Sequence, residues 1–331
     1  MRALLGVVGA CALLVLTGAA PAAVAADGDG KGDQDFTIED SRITESSGLA
    51  ASHQHPGIYW THNDQDTGSY LYAVDSGTGK TVARITLAGV GQQRDVEAIS
   101  IGPDNQIYVG DIGDNDGVSW PYVWIYQLPE PKELKDQTIR AKQYVVKYTD
   151  GSRDAESMIV HPKTGRVYII DKQEDGGHLY EGPAKLSTSG TNVFRPVKPV
   201  DLWATDAAFS PDGRRLAVRG YFGGIWYDWN GGDLKKEGRL SVPLGQGESV
   251  SYSADGTKLM LGSEGEGSEV VAQDAPGGGG GSSGSASGGG SSAQGGGGDG
   301  GGNGTVKVGA LAVAAVVAVV FGFRRLLRPR R

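Results

Sequence analysis

The residues best equipped for chemistry in this sequence are acidic, and they recur. Arg94-Asp95-Val96-Glu97 returns as Arg153-Asp154-Ala155-Glu156, and Gly247-Glu248 stands at the equivalent point of a third segment. Ser47 and Thr205 take that point in two more. Carboxylates brought together repel one another unless a cation or arginines intervene. A Ca²⁺ site or an acid/base pair would use that repulsion. Carboxylates that accept backbone N–H groups of neighbouring segments, or that face Arg94 and Arg153, would relieve it structurally. A second acidic set follows: His62-Asn63-Asp64-Gln65-Asp66, then Asp111-Ile112-Gly113-Asp114-Asn115-Asp116-Gly117. Asp and Asn at alternate positions offer oxygen ligands, and glycine allows the tight turns of calcium loops. The closing Glu of an EF-hand is missing, and plain turns share this composition. The candidate metal ligands are Glu97, Glu156, Glu248, Asp111 and Asn63, with Ca²⁺ as the cofactor.

Two further groups are candidates of other kinds. His53, His55 and His62 lie close in sequence and are the minimum for zinc, although all three fall in one polar stretch. Trp120-Pro121-Tyr122 lies between strand patterns, so Trp120 and Tyr122 are the candidate ligand-binding aromatics, suited to stacking on sugar. The remaining tyrosines and tryptophans read as core. No phosphate-binding loop, zinc-protease helix or nucleophile elbow occurs in the body of the chain.

The elements that must position these groups repeat at a period of about fifty residues. Glu97–Asp104, Glu156–Lys163, Thr205–Asp212 and Glu248–Asp255 each form a short apolar run that ends in a turn, and Ser47–Ala51 begins a fifth copy. Each run is followed by a second strand (Ile58-Tyr59-Trp60, Ile107-Tyr108-Val109, Val167-Tyr168-Ile169) and a third, which carries an apolar–Tyr pair in four copies and Val270-Val271 in the last. A variable fourth strand follows, as at Thr81–Leu87 and Lys142–Tyr148. Four antiparallel strands repeated five times predict an all-β fold, a β-propeller of five four-stranded blades, with six the alternative if a loop hides a divergent unit. The fifth copy lacks a fourth strand, and residues 35–43 at the other end are free to supply it and close the ring. Ser210-Pro-Asp-Gly-Arg-Arg-Leu216 and Ile101-Gly-Pro-Asp-Asn-Gln-Ile-Tyr108 resemble the broad WD-, NHL- and TolB-like propeller repeats over nearly all of residues 35–276. That resemblance implies a fold and no particular activity. Gluconolactonase-like and phytase-like propellers are similar in holding calcium with Glu, Asp and Asn at the mouth of the channel. A calcium-dependent lactonase or esterase is therefore the enzymatic alternative.

The two ends set the expected location. Residues 1–26 carry Arg2, an apolar run and small residues before Asp27, the pattern of a secretory signal peptide. Residues 27–34 form an acidic flexible segment, 35–276 the propeller, and 277–304 a Gly/Ser-rich tether with a reach of roughly 30 Å. Residues 305–323 read as one transmembrane helix, followed by the basic tail 324–331. The positive-inside rule then puts the tail in the cytoplasm and the body outside. The anchor resembles that of Gram-positive surface proteins, although no Leu-Pro-x-Thr-Gly motif precedes it. The only cysteine, Cys11, would leave with the signal, which excludes disulfides and thiol catalysis. Setting aside the seven bases of the two ends leaves 24 bases against all 39 acids. Such a surface repels nucleic acid. The expectation is a monomeric, membrane-anchored binding module at the cell surface, with a cell-wall, glycan or protein ligand.

Overall fold

The computed structural model describes residues 33–277, apart from 65–67, 116 and 244–245. The expected signal peptide, transmembrane helix and basic tail, with nearly all of the acidic segment and tether, lie outside these residues. Among the described residues no helix is long and apolar enough to cross a membrane.

The fold is all-β. After a short strand β1 (Phe36–Thr37) the chain builds five antiparallel units in sequence order. The first holds β2 (Ala50–Ala51), β3 (Ile58–Thr61), β4 (Tyr70–Asp75) and β5 (Thr81–Ala88). The second holds β6 (Val96–Gly102), β7 (Gln106–Asp111), β8 (Val123–Pro129) and, after the extra strand β9 (Gln137–Arg140), β10 (Lys142–Tyr148). The third comprises β11 (Ala155–Val160), β12 (Val167–Asp171), β13 (Gly177–Glu181) and β14 (Thr191–Val200). The fourth comprises β15 (Ala204–Phe209), β16 (Arg215–Gly220), β17 (Gly223–Asn230) and β18 (Asp233–Leu240). The fifth has β19 (Gly247–Tyr252), β20 (Lys258–Ser263) and β21 (Glu269–Asp274), and its fourth strand is β1, with Phe36 opposite Val270 and Thr37 opposite Glu269.

A shared turn chemistry sets the first hairpin of the fourth and fifth units. Ser210 Oγ donates to Asp212 Oδ1 at 2.6 Å, and Ser253 Oγ donates to Asp255 Oδ1 at 2.7 Å. The glycines that follow, Gly213 and Gly256, sit at φ of 72° and 74°, a left-handed conformation that a side chain would strain. Two joins depart from expectation. β9 adds to the first sheet parallel to β5, and β14 pairs parallel with β10, so the second and third units share one eight-stranded sheet.

The first strands touch in cyclic order: β2 against β6, β6 against β11, β11 against β15, β15 against β19, and β19 against β2. Five apolar clusters lie between successive units. Trp60 and Leu71 meet Val109 and Tyr126; Ile125 and Tyr144 meet Met158 and Tyr180; Tyr168 and Leu179 meet Leu216 and Trp229. Ala217 and Leu240 then meet Tyr252 and Leu259, and Met260 and Val270 meet Tyr59 and Tyr72. The last of these joins the end of the repeat to its beginning and includes Phe36 of β1, whose ring lies 5.7 Å from that of Tyr59. The strand tyrosines read as core do pack between units.

Phe36 therefore links the fifth unit to the first. Phe36→Ala removes a nearly buried aromatic from that closure and is expected to lower stability by about 3 kcal/mol. Urea unfolding of the full-length chain in detergent measures this, and a loss well under 1 kcal/mol would show that β1 does not hold the ends together.

Candidate functional site

The site begins with a backbone irregularity that every unit shares. Val96 pairs with Asp111, but Ala98 pairs with Gly110, so Glu97 is an extra residue in its strand. The same one-residue slip falls at Glu156, Thr205 and Glu248. In the first unit the pairing also slips by one between the Ser46–Asn63 bridge and the Ala50–Trp60 pair, the stretch that contains Ser47. A β-bulge bends the strand and re-aims the extra side chain out of the ladder. Repeated in first strands that pack in a ring, it gathers Ser47, Glu97, Glu156, Thr205 and Glu248 at one mouth. Neighbours in this set bond to one another's units: Ser47 Oγ donates to Glu97 Oε2 at 2.7 Å, and Thr205 Oγ1 donates to the Gly247 carbonyl at 2.8 Å.

Two more repeated positions complete the mouth. Two residues before the bulge stand Glu45, Asp95, Asp154, Trp203 and Gln246. One residue past the bulge's partner on the second strand stand Asp64, Ile112, Lys172, Tyr221 and Glu264. Backbone hydrogen bonds tie the two positions, from Asp64 N to Glu45 O, Lys172 N to Asp154 O and Glu264 N to Gln246 O, at 2.8–3.0 Å. The densest part joins the first and second units: one ligand atom from each of Asp64, Asp95 and Glu97 lies within 4.8 Å of the others. Glycine makes room for this. A Cβ on Gly113 would sit 2.5 Å from Asp95 Oδ2 and 2.9 Å from Glu97 Cγ.

Charge at the mouth is unbalanced. Glu97 is 3 % exposed and Glu156 4 %, with Asp95 and Glu248 also buried. Lys172 Nζ pairs with Glu156 Oε1, leaving Glu156 Oε2 buried with no hydrogen-bond partner. Asp64 Oδ1 is in the same condition. Burial first, and then mutual repulsion, hold the carboxyls of Asp64, Glu97 and Glu248 well above the usual carboxylate range. Burial pushes Glu156 up to about 7 against the pull of Lys172.

The expected ligands divide accordingly. Glu97 belongs to the cluster; Glu156 lies outside it, paired with Lys172; and Glu248 has Lys172 and the buried Arg219 pulling its carboxyl down against burial. Asn63 and Asp111 occupy equivalent positions and do equivalent structural work. Asn63 Oδ1 accepts the N–H groups of Thr44 and Glu45 at 3.0 and 3.1 Å. Asp111 accepts those of Arg94 and Asp95 at 3.1–3.3 Å and the Tyr126 hydroxyl at 2.7 Å. Each fixes the chain just before its bulge. Residues 65, 66 and 116 of the two acidic loops lie outside the described residues.

Arg94 and Arg153 do not face the acids of the mouth. Arg153 pairs with Asp150 at 2.7 Å, and Arg94 lies between two indoles, 3.9 Å from the Trp120 ring centre and 3.8 Å from that of Trp124. Its Nη2 donates to the Tyr122 carbonyl at 3.1 Å. Trp120 is thus partly buried in a stack, while Tyr122 is 45 % exposed. Both stand beside the mouth, because Trp120 N donates to Asp114 Oδ2 at 2.6 Å and Asp114 N reaches Asp154 Oδ1 at 3.3 Å. The histidines form no ligand set among the described residues. His62 Nδ1 faces the Asn63 carbonyl, His55 bonds to Pro131 O, and His53 lines a cavity of about 60 Å³ at the far end of the first strands.

Sequence reasoning passed over Asp64 as a member of the cluster and Lys172 as the cation that pairs with Glu156. Extending the repeat alignment one residue beyond each second strand would have found them.

These raised carboxyls make stability pH-dependent. Each is stabilising in its protonated form below the ordinary carboxylate range, and that contribution is lost as pH rises through the raised value. Asp40, Asp150, Asp212 and Asp255, held low by nearby donors, act at lower pH and do not offset it. His53, His62 and His161, whose pKa values burial lowers, act in the opposite sense over an overlapping range, so the carboxyls' share is isolated by comparing a variant with the parent chain. In EDTA, Glu248→Gln should be more stable than the parent at pH 7 by on the order of 1 kcal/mol, with the difference shrinking as pH falls toward about 5. A difference that does not shrink would refute the assignment. No protein-family model and no curated protein matches the sequence.

Proposed function

We propose that this chain is an exported five-bladed β-propeller that acts as a binding module at the cell surface, held in the membrane by residues 305–323 through the glycine-rich tether. The observation that carries this reading is the convergence of three repeated positions at one mouth with an excess of buried negative charge. An acidic well selects cationic groups, and a ligand-side cation would recover the hydration energy the acids have lost. The aromatic ledge of Trp120, Tyr122 and Trp124 beside it supplies an apolar surface for a sugar ring or an aliphatic stem. The last described residues lie at the other end of the first strands, where Ala275 N donates to Thr257 O at 2.9 Å beside the β19–β20 turn.

A calcium-dependent lactonase or esterase is the second reading, and the Glu156 carboxyl near 7 favours it, because such a group gives and takes protons at neutral pH. Turnover of a lactone and ester panel, with and without EDTA, tests it.

The binding reading is tested by incubating the detergent-solubilised full-length chain with bacterial cell-wall, glycan and surface-protein fractions. Saturable retention on one fraction is expected. Tyr122→Ala should weaken that retention roughly tenfold, the effect of truncating an exposed aromatic anchor, with an unchanged melting temperature. Absence of saturable retention on every fraction would overturn the reading.

A further inference from the structure

The junction between the third and fourth units holds a cleft of about 470 Å³, within the ~300–1,000 Å³ range of small-molecule sites. Its walls are the β12–β13 turn and the end of β14 on one side, and β17 with β18 on the other. β18 is the edge of its sheet, and among the described residues no strand adds to it. None of the lining residues belongs to the three repeated positions of the mouth.

We propose that this cleft is a second binding site, separate from the mouth, for a zwitterionic small molecule: an amino acid with an apolar side chain.

Two observations carry it. The first is the floor. Val200, Tyr227 and Leu234 belong to the apolar cluster between the two units and also line the cleft, so the cluster opens here instead of closing. Tyr227 adds no charge, because burial first, and then the nearby Asp201, push its hydroxyl up to about 12. An apolar side chain lying on this floor would extend the cluster outward and leave water.

The second observation is the arrangement of charge. Lys198 of β14 pairs with Asp233 of β18 at 2.5 Å, and Lys236 of β18 pairs with Asp201, which follows β14, at 3.3 Å. The two pairs thus cross the same junction in opposite directions, and Asp175 adds a further acid to the rim. Both carboxylates are mostly in solvent, Asp233 at 68 % and Asp201 at 82 % exposure. Pairs exposed to this degree contribute little to stability and exchange partners readily. A ligand with a single charge would take one member of a pair and leave the other, of the ligand's own sign, beside it. A carboxylate on Lys236, for example, would release Asp201 as a repelling neighbour. A zwitterion avoids this, because its carboxylate replaces Asp201 on Lys236 while its ammonium replaces Lys236 on Asp201. Every charge keeps a partner, and the apolar side chain is left to face the floor.

Saturation-transfer NMR on the full-length chain in detergent, with L-phenylalanine and L-leucine as probes, tests the cleft. Saturable binding with a Kd on the order of 1 mM is expected for ligands of this size. 3-Phenylpropionate lacks the ammonium and 2-phenylethylamine lacks the carboxylate, and each should displace phenylalanine roughly fivefold less well. Displacement is the readout because the amine has its own attraction to the acidic mouth. Lys236→Met and Asp201→Asn should each weaken phenylalanine binding roughly fivefold with an unchanged melting temperature. Glu97→Gln, at the mouth, should leave that binding as it is. Absence of saturable binding of both amino acids, an equally effective singly charged analogue, full binding in both cleft variants, or loss of binding in Glu97→Gln overturns the proposal. Should a cleft variant lower the melting temperature, Lys198→Met should show the weakening in its place, and full binding there overturns the proposal equally. No envelope fraction enters this experiment, so its failure leaves the binding reading of the mouth standing.

Discussion

The bulge at the start of each first strand is the constraint on which the rest of the mouth depends. An uninterrupted antiparallel ladder sends successive side chains to opposite faces, into the clusters between units. One extra residue breaks that alternation and releases a side chain along the strand instead. The pairing slips at Glu97, Glu156, Thr205 and Glu248, and across the stretch containing Ser47. Side-chain chemistry protects the slip: Asn63 and Asp111 bind the two N–H groups just before it in their units. In the fourth unit Asp206 performs a related task, accepting Ala207 N and, from the next unit, Val250 N, both at 2.7 Å. Buried acids thus serve two purposes here. Those on the ladder satisfy backbone donors, and those on the bulge face one another.

Gathering like charges in this way costs free energy, and the five apolar clusters between units offset it. Burial of aromatic and aliphatic surface contributes roughly 25 cal/mol per Å² removed from water. Tyr126, Tyr180 and Trp60 are almost wholly inaccessible. Because the clusters follow one another cyclically, no unit has an uncovered face, and β1 removes the edge that the three-stranded fifth unit would expose. A closed scaffold of this kind can hold strained electrostatics that an open sheet would relax by spreading.

Much of this was legible in the sequence, and the limits have physical causes. The repeat period, the four strands per unit and the pairing of the N-terminal strand with the last unit all follow from short-range patterns such as Ser210-Pro-Asp-Gly213 and the apolar–Tyr pairs. The parallel additions of β9 to β5 and β14 to β10 were not legible, since a strand's own residues do not say which free edge it will join. Arg94 illustrates a second limit. Its place beside Asp95 suggests an ion pair, yet stacking on Trp120 and Trp124 wins, because guanidinium is weakly hydrated and gains from two π-faces at once. Lys172 supplies the charge that Arg94 and Arg153 were expected to supply. Trp120 and Tyr122 stand as neighbours beside the mouth, but only Tyr122 presents much of its ring to solvent.

The chemistry of the mouth lies where the repeats differ. Five identical units would give a ring of identical side chains, whose charges would oppose each other symmetrically and leave no preferred position for a ligand. At the position one past the second strand, this chain instead has Asp64, Ile112, Lys172, Tyr221 and Glu264. The backbone stays nearly equivalent through the shared bulge while the charge changes from unit to unit. Lys172 on the third unit pairs with Glu156, whereas Asp64, Asp95 and Glu97 gather between the first and second units. Repetition sets the shape of the mouth, and divergence at a single repeated position gives it direction.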